Sequence, residues 1–148
     1  MTRLALLVVT ILAVVACGTS PGAPAPAVVG AAAPVASVAL GVAALPAEVS
    51  IADAASMRDA GAFILDVREP DEWSQGHIPG ATLIPLGELA GRAGALPRDR
   101  SIVVICRSGN RSAQGRDVLL GAGFPSVTSV SGGMTDWLAA GLPVETGG

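Results

Sequence analysis

One stretch joins an apolar run to a polar turn: Ile102-Val103-Val104-Ile105-Cys106-Arg107-Ser108-Gly109-Asn110-Arg111-Ser112. The β-branched residues 102–105 predict a buried strand, and residues 112–122 have the apolar spacing of a helix. Cys106 therefore lies where a strand turns into a helix. Such a turn points free N–H groups at one spot, and the helix dipole adds partial positive charge there.

The residues around Cys106 favour an ionised thiol. A free cysteine has a pKa near about 8.5, and this value falls at helix N-termini and beside arginine. The charged and polar residues that follow Cys106 argue against a structural thiol in an apolar core. Gly109 lets the backbone curl close to a ligand, while Ser108 and Asn110 tolerate tight turns and can donate hydrogen bonds. We therefore predict a thiolate in an anion-binding loop.

The rest of the chain from Glu48 alternates strands and helices. Ser50 and Asp53 form the capping pair of a first helix that ends at Gly61. The pattern predicts further helices over residues 69–75, 86–96, 112–122 and 134–140, and strands over residues 63–65, 81–84, 102–105 and 127–130. Strands of this kind, apolar enough to be covered on both faces, indicate a parallel α/β sheet. Functional loops of such sheets lie beyond the carboxyl ends of the strands, where Cys106 falls.

Composition and charge exclude several classes of function. The 148 residues are 51% hydrophobic, which is high for a globular protein. Most of the additional hydrophobic residues are alanine and valine before Leu45. From Glu48 onward eight arginines face twelve carboxylates, so there is no basic surface for nucleic acid. A single histidine and no lysine remove most conventional metal and Schiff-base sites. We expect neither a metal nor a cofactor.

The N-terminus has the features of an export signal. Met1-Thr2-Arg3 is a short positive region, and residues 4–15 are apolar but too few to span a membrane. The following Val14-Val15-Ala16-Cys17 resembles the lipobox of bacterial lipoproteins. This resemblance implies a signal peptide over residues 1–16, a lipid on Cys17 and a place on the outer face of the cytoplasmic membrane, in the bacterial cell envelope. The alternative is an ordinary secretory peptide in which Cys17 is incidental.

Residues 17–46 are then a lipid-bearing cysteine and a tether rich in alanine, proline and glycine. The tether carries no charge, and its prolines break any helix. The folded domain occupies residues 47–148. If Cys17 is acylated, Cys106 is the only free thiol in the chain, and an unpaired cysteine in an exported protein is a candidate reactive group.

Several motifs in a fixed order resemble the single-domain rhodanese family over residues 46–143. They are Asp66-Val67-Arg68, Glu72-Trp73, Gly76-His77-Ile78-Pro79-Gly80-Ala81, the Cys106 to Ser112 loop, and Gly132-Gly133-Met134 with Trp137. The resemblance implies a three-layer α/β/α sandwich around a five-stranded parallel sheet of order 3-2-4-5-1. It also implies a sulfurtransferase, in which the loop cysteine takes a sulfane sulfur from a donor such as thiosulfate and passes it to a thiol or another thiophilic acceptor.

The loop residues then take roles in this chemistry. Cys106 is the catalytic residue that becomes a persulfide, and the amides from Arg107 to Ser112, through Ser108, Gly109 and Asn110, stabilise the anionic sulfur. Arg111 is expected to bind the oxyanion of the donor in a bidentate manner, and Arg107 to face solvent and steer anions inward. Asp66, Arg68 and His77 are expected to support the site by pairing and hydrogen bonding. Trp73 and Trp137 are expected to be packing residues.

Two other functions remain open at this point. Cysteine phosphatases and arsenate reductases of the same fold hold five residues between the cysteine and the arginine, whereas Cys106 and Arg111 enclose Arg107, Ser108, Gly109 and Asn110. The shorter loop makes a smaller cradle, which suits a sulfane sulfur better than a tetrahedral phosphate. The other possibility is a module that binds a persulfide or an anion without turnover. The sequence identifies neither the physiological donor nor the acceptor.

Overall fold

The computed structural model describes residues 44–147, which form a five-stranded parallel sheet covered by helices. The strand order is β1-β5-β4-β2-β3, and every neighbouring pair is parallel. The strands are β1 (Glu48–Val49), β2 (Phe63–Asp66), β3 (Thr82–Leu83), β4 (Ile102–Ile105) and β5 (Val127–Val130). The fold class and the strand order predicted from the sequence are therefore confirmed.

Five α-helices connect the strands or follow them. They are α1 (Ile51–Asp59), α2 (Pro70–Gln75), α3 (Leu86–Arg92), α4 (Asn110–Gly121) and α5 (Gly133–Ala139), with a 3-10 turn at Ala93–Ala95. The predicted cap of α1 is confirmed, since the Asp53 N–H donates to Ser50 Oγ over 3.2 Å. Within residues 44–147 the structure has no helix long and apolar enough to cross a membrane.

The central strand β4 places alternate side chains in two separate apolar cores. Ile102 and Val104 pack on the side of the sheet that also buries Leu89 of α3 and Leu119 of α4. Val103 and Ile105 pack on the other side, with Met134 and Trp137 of α5. Because a strand turns successive side chains to opposite faces, one apolar run fills both cores and produces the three layers.

Close packing of α4 on the sheet depends on a small residue. A Cβ atom added at Gly115 would lie 3.1 Å from Val104 Cγ1 and 3.3 Å from Val67 Cγ1. The helix therefore approaches the sheet more closely than a larger residue would allow.

Several boundaries differ from those predicted. The strand β1 has only two residues, which is too short for an apolar alternation to be recognised. The helix α4 begins at Asn110, two residues before the predicted start, because Gly109 takes a left-handed conformation and ends the turn. The helix α3 ends at Arg92, and a 3-10 turn follows it. The predicted signal peptide, Cys17 and residues 18–43 of the tether lie outside the described residues.

Candidate active site

The cysteine loop lies at the carboxyl end of β4, as the sequence predicts. Cys106 follows the last residue of the strand, and Asn110 is the first residue of α4. Gly109 between them has a φ of 103°, a conformation that L side chains rarely adopt. A Cβ atom at this position would lie 3.4 Å from both Gly132 N and Val130 O. The predicted need for glycine in a tight turn is therefore met.

The Cys106 side chain is almost fully buried. Only 1% of the residue is exposed, and it packs against the core formed by β4, α3 and α4. Its sulfur nevertheless has polar neighbours, since the Gly109 N–H donates to Sγ over 3.1 Å and Ser112 Oγ lies 3.7 Å away. The sequence argued against a cysteine in an apolar core. In the structure the residue is part of that core, while its sulfur atom faces the amides of the loop.

The loop lowers the pKa of Cys106. Burial raises the pKa of the thiol, but hydrogen bonds from Ser112 to the sulfur, through both the backbone and the side chain, lower it. The backbone N–H groups of Ser108 and Gly109 act in the same direction. The net pKa lies below the usual value because these donors stabilise the charged form more than burial disfavours it.

The Ser112 hydroxyl has more than one possible acceptor. Its single proton is directed at the carbonyl of Gly109 over 2.7 Å, and the carbonyl of Val130 lies 3.5 Å away. The sulfur of Cys106 is 3.7 Å from the same oxygen. A hydroxyl proton rotates to suit its surroundings. The hydroxyl can therefore accept from the thiol when Cys106 is protonated and donate to the sulfur when Cys106 is ionised.

The side chain of Arg111 is placed differently from its predicted role. The sequence predicts that it binds the donor's oxyanion, but its two terminal nitrogens donate to the Glu72 carboxylate over 2.7 and 2.8 Å. The hydrogen bonds from Arg111 hold the pKa of Glu72 below its usual value, and the carboxylate raises the pKa of Arg111 in turn. The guanidinium thus ties α4 to α2.

The first turn of α5 holds the loop from the other side. The Met134 N–H donates to the carbonyl of Cys106 over 2.8 Å, and the Thr135 N–H donates to the carbonyl of Arg107 over 3.0 Å. Gly133 has a φ of 57°, and a Cβ atom there would overlap the carbonyl oxygen of Cys106. The carbonyls of the loop are therefore directed toward α5, while its N–H groups face the sulfur.

The predicted supporting residues lie below and beside the loop. Asp66 and Arg68 form a buried ion pair of 2.7 Å, and Arg68 also donates to the carbonyl of Gly76 over 2.9 Å. The His77 ring stacks on Trp73 with centroids 3.5 Å apart, and its Nδ1 lies 3.1 Å from the carbonyl of Trp73. These contacts fix the segment around α2.

Both tryptophans act as packing residues. Trp137 is fully buried against the core of β1, β4 and α5, and Trp73 stacks on a histidine ring. The Trp137 Nε1–H donates to the carbonyl of Pro143 over 3.0 Å, which satisfies its one polar group. The sequence-based interpretation of these two residues therefore agrees with the structure.

Four further residues shape the site without having been assigned a role from the sequence. They are Glu72, Gly133, Met134 and Thr135. Glu72 and the Gly132-Gly133-Met134 segment belong to the motifs noted in the sequence, so their presence was visible. Their contacts with the loop were not, because each comes from another part of the chain.

A cleft of about 450 Å³ opens beside the loop. Its lining residues are Arg68, Asp71, Glu72, Gln75, Gly76, Arg107, Met134, Thr135 and Leu138. Arg107 is exposed there, as predicted, and forms no ion pair with any residue in the range 44–147. The same range contains no group of three or more histidine, cysteine or acidic side chains that could hold a metal ion.

Comparison with known proteins supports the architecture. Residues 50–140 match the rhodanese-like domain. A rhodanese-related protein of Thermoplasma volcanium superposes with a TM-score of 0.64 at 35% identity, covering 69% of this chain and 100% of that one.

Two relatives show how much of the chain is shared. The thiosulfate sulfurtransferase GlpE of Pseudomonas syringae is 34% identical over 93 residues, which cover 63% of this chain and 87% of GlpE. The YrkF protein of Bacillus subtilis is 46% identical over 74 residues, but these cover only 50% of this chain and 40% of YrkF. The matched region thus covers most of GlpE but less than half of YrkF.

Proposed function

The chain belongs to the rhodanese-like domain family, and on that premise we propose that it moves a sulfane sulfur from a donor such as thiosulfate to a thiophilic acceptor through a persulfide on Cys106. The observation that carries this proposal is the environment of the Cys106 sulfur. The loop directs a Gly109 N–H at Sγ and lowers the thiol pKa, although the residue is buried. The name of the relative GlpE supports thiosulfate as the donor.

The first half of the reaction follows from the ionised sulfur. The Cys106 thiolate attacks the outer sulfur of thiosulfate, a sulfur–sulfur bond forms, and the bond inside thiosulfate breaks to release sulfite. The product is a persulfide that is also anionic, so the same N–H groups stabilise the sulfur before and after loading. A nucleophile that is already ionised needs no base, which agrees with a loop that holds no histidine.

The intact mass of the protein tests this step. After incubation with thiosulfate we expect a gain of one sulfur atom, which a reducing thiol then removes. The Cys106→Ser variant should show no gain and no thiosulfate-dependent release of sulfide or thiocyanate. Ser74→Ala, on the exposed side of α2, is a suitable control. Absence of the added sulfur with thiosulfate, polysulfide and other sulfane donors would contradict the proposal.

Two further measurements separate the two other functions from sulfur transfer. A binding module without turnover predicts a stable adduct, or none, and no catalytic release of sulfur to an added thiol. A phosphatase predicts hydrolysis of phosphate monoesters that disappears in Cys106→Ala.

We also propose that the protein is anchored to the cell envelope through a lipid on Cys17. The support is the sequence alone, in which a short apolar segment precedes Val14-Val15-Ala16-Cys17. Growth of cells that express the protein in the presence of a labelled fatty acid should label the chain. Cys17→Ser should abolish the label, whereas Cys106→Ser should keep it. Equal labelling of both variants would refute the proposed site of attachment.

A further inference from the structure

The peptide group between Arg107 and Ser108 is held by a single residue of the helix α5. The carbonyl of this peptide accepts two hydrogen bonds from Thr135, one from its backbone N–H and one from its side-chain hydroxyl, each over 3.0 Å. A carbonyl oxygen has two lone pairs. Thr135 therefore uses the full accepting capacity of this loop carbonyl.

The orientation of the carbonyl sets the direction of the Ser108 N–H. No peptide bond among residues 44–147 is cis, and in a planar trans peptide the C=O and the following N–H point in opposite directions. Because Thr135 binds the carbonyl of Arg107 on the side of α5, the Ser108 N–H is directed to the opposite side, toward the Cys106 sulfur. That N–H is one of the donors that lower the pKa of Cys106.

The first turn of α5 can bind the loop because the helix begins at a glycine. The N-cap residue Gly132 has no side chain to accept from the first N–H groups, which lack partners within a helix. Met134 and Thr135 direct these N–H groups at the carbonyls of Cys106 and Arg107 instead. A methionine side chain has no donor, so the second bond to the loop comes from the threonine hydroxyl alone.

The hydroxyl of Thr135 can be removed without disturbing the core. Thr135 is exposed, so water can reach its side chain, and the carbonyl of Arg107 keeps the backbone N–H as a donor. Valine has nearly the same shape as threonine and a similar helix propensity. Substitution by valine therefore removes one bond to the loop and opens no cavity.

We propose that Thr135 is a positioning residue, whose hydroxyl keeps the Ser108 N–H directed at the Cys106 sulfur. Rotation of the Arg107–Ser108 peptide must break two hydrogen bonds when the hydroxyl is present and one when it is absent. A rotated peptide turns its carbonyl oxygen toward the anionic sulfur, which destabilises the charge. The hydroxyl thus stabilises the ionised thiol and speeds the loading of sulfur on it, a second effect that rests on the proposed function.

Alkylation of Cys106 tests this inference without requiring sulfur transfer. The full chain is treated with iodoacetamide over the pH range in which the thiol ionises, and the rate is measured by mass on the peptide that contains Cys106. Thr135→Val lacks the hydroxyl, whereas Thr135→Ser keeps the hydroxyl and lacks the methyl group. Thr82→Val makes the same change on the edge strand β3 and serves as the control.

We expect Thr135→Val to react about three- to tenfold more slowly than the wild type at neutral pH, the effect of losing one hydrogen bond. The two rates should converge at high pH, where the thiol is ionised in both proteins. Thr135→Ser and Thr82→Val should follow the wild-type profile. Loading of Cys106 by thiosulfate should slow in Thr135→Val and in neither of the other two variants.

Three outcomes of the alkylation experiment would overturn the inference. In the first, Thr135→Val follows the wild-type profile. In the second, its rate falls by one factor at every pH, which would mean hindered access to the sulfur. In the third, Thr135→Ser is as slow as Thr135→Val, which would assign the effect to the methyl group.

The two proposals can fail separately. Each of these three outcomes leaves the proposed sulfur transfer standing, because alkylation does not involve it. If the alkylation profiles are as expected but no sulfane donor loads the wild type, the proposed function fails, and the positioning of the Ser108 N–H by Thr135 is retained.

Discussion

The loops that follow β2 and β4 occupy equivalent places in the sheet but use their charges in opposite ways. After β2, the carboxylate of Asp66 and the guanidinium of Arg68 bind each other and are buried. After β4, the sulfur of Cys106 is bound by loop N–H groups, and Arg107 in the cleft forms no ion pair with any other residue between 44 and 147. The charges of the first loop therefore stabilise the fold, and we call it the anchor loop. The N–H donors and the arginine of the second loop are available to bind a ligand.

The comparison predicts that the anchor loop contributes most to stability. Asp66→Ala leaves the buried guanidinium of Arg68 without its countercharge, so we expect the free energy of unfolding to fall by about 3–5 kcal/mol. Urea titration measures this change. Asp59→Ala is the control, since that carboxylate is exposed and pairs with Arg58, and it should cost at most about 1 kcal/mol. Equal losses in the two variants would contradict the role assigned to the first loop.

The second prediction concerns the way α5 holds the cysteine loop. Gly133→Ala combines a left-handed φ of 57° with an overlap on the carbonyl of Cys106. The left-handed conformation alone costs an alanine about 1–2 kcal/mol. We expect at least this loss in the free energy of unfolding, together with slower loading of sulfur on Cys106.

Gly91→Ala is the matched control for this substitution. Gly91 lies within α3, where a Cβ atom meets nothing within 4 Å. Alanine should stabilise the helix there by about 0.5–1 kcal/mol. If Gly133→Ala behaved like Gly91→Ala, the loop would not depend on its contact with α5.

The third prediction concerns the hydrogen-bond donors of the second loop that stabilise the Cys106 sulfur. Ser112→Ala removes the hydroxyl beside Sγ and keeps the backbone N–H, so the pKa of Cys106 should rise. Loss of a hydrogen bond to a charged group lowers the rate of alkylation at neutral pH by about tenfold. The rate as a function of pH shows this effect, because wild type and variant converge once the thiol is ionised in both.

Ser56→Ala is the control for Ser112→Ala. The Ser56 hydroxyl donates to the carbonyl of Ala52 on the exposed side of α1 and has no contact with the sulfur among the hydrogen bonds of residues 44–147. Its alkylation profile should match that of the wild type. A rate in Ser112→Ala equal to the wild-type rate at neutral pH would mean that the backbone alone stabilises the thiolate.

The smallest loss of stability is expected for the ion pair that joins the helices after the two loops, α2 and α4. Glu72→Gln breaks the bidentate pair between α2 and Arg111 of α4, in which both side chains are partly exposed. We expect a loss of about 1 kcal/mol in the free energy of unfolding at neutral pH. Glu88→Gln, which breaks an exposed pair on α3, serves as the control and should cost less.

The pH dependence of this loss follows from the lowered pKa of Glu72. Arg111 holds that pKa below the usual value of 4.5. The unfolded state therefore binds more protons than the native state in acid, and stability rises with pH through that range. The difference between wild type and Glu72→Gln should be complete above about pH 5, should decrease as the pH falls from the ordinary pKa of 4.5 through the lower native pKa, and should be lost below it. A difference that stays constant in acid would argue against the ion pair as its source.

The elements with a strong local signal could be predicted from the sequence. Residues 102–105 are continuously apolar and β-branched, so β4 was located correctly, and the Ser50 and Asp53 cap marked the start of α1. The strand β1 was not located, because two residues carry no periodicity. Its pairing with β5 depends on contacts between residues far apart in the chain.

The partner of Arg111 illustrates the same limit within the site. A guanidinium beside a reactive cysteine suggests a ligand for an anion. From the sequence alone, this role for Arg111 cannot be told apart from an ion pair with a carboxylate elsewhere in the chain. Glu72, 39 residues earlier, binds it in the structure. Only the adjacency of β2 and β4 in the sheet brings the helix that follows each strand close enough for this pair to form.

The sequence by itself determined the class of the sheet, the position of Cys106 between a strand and a helix, and the residues that can stabilise an anion. These follow from local patterns, because strand, turn and helix propensities act over a few neighbouring residues. The tertiary structure decided which charges are paired and which remain for a ligand. That outcome depends on distances between segments. Among residues 44–147, Arg68, Glu72 and Arg111 are bound in ion pairs, whereas Arg107 and Asp71 have no such partner.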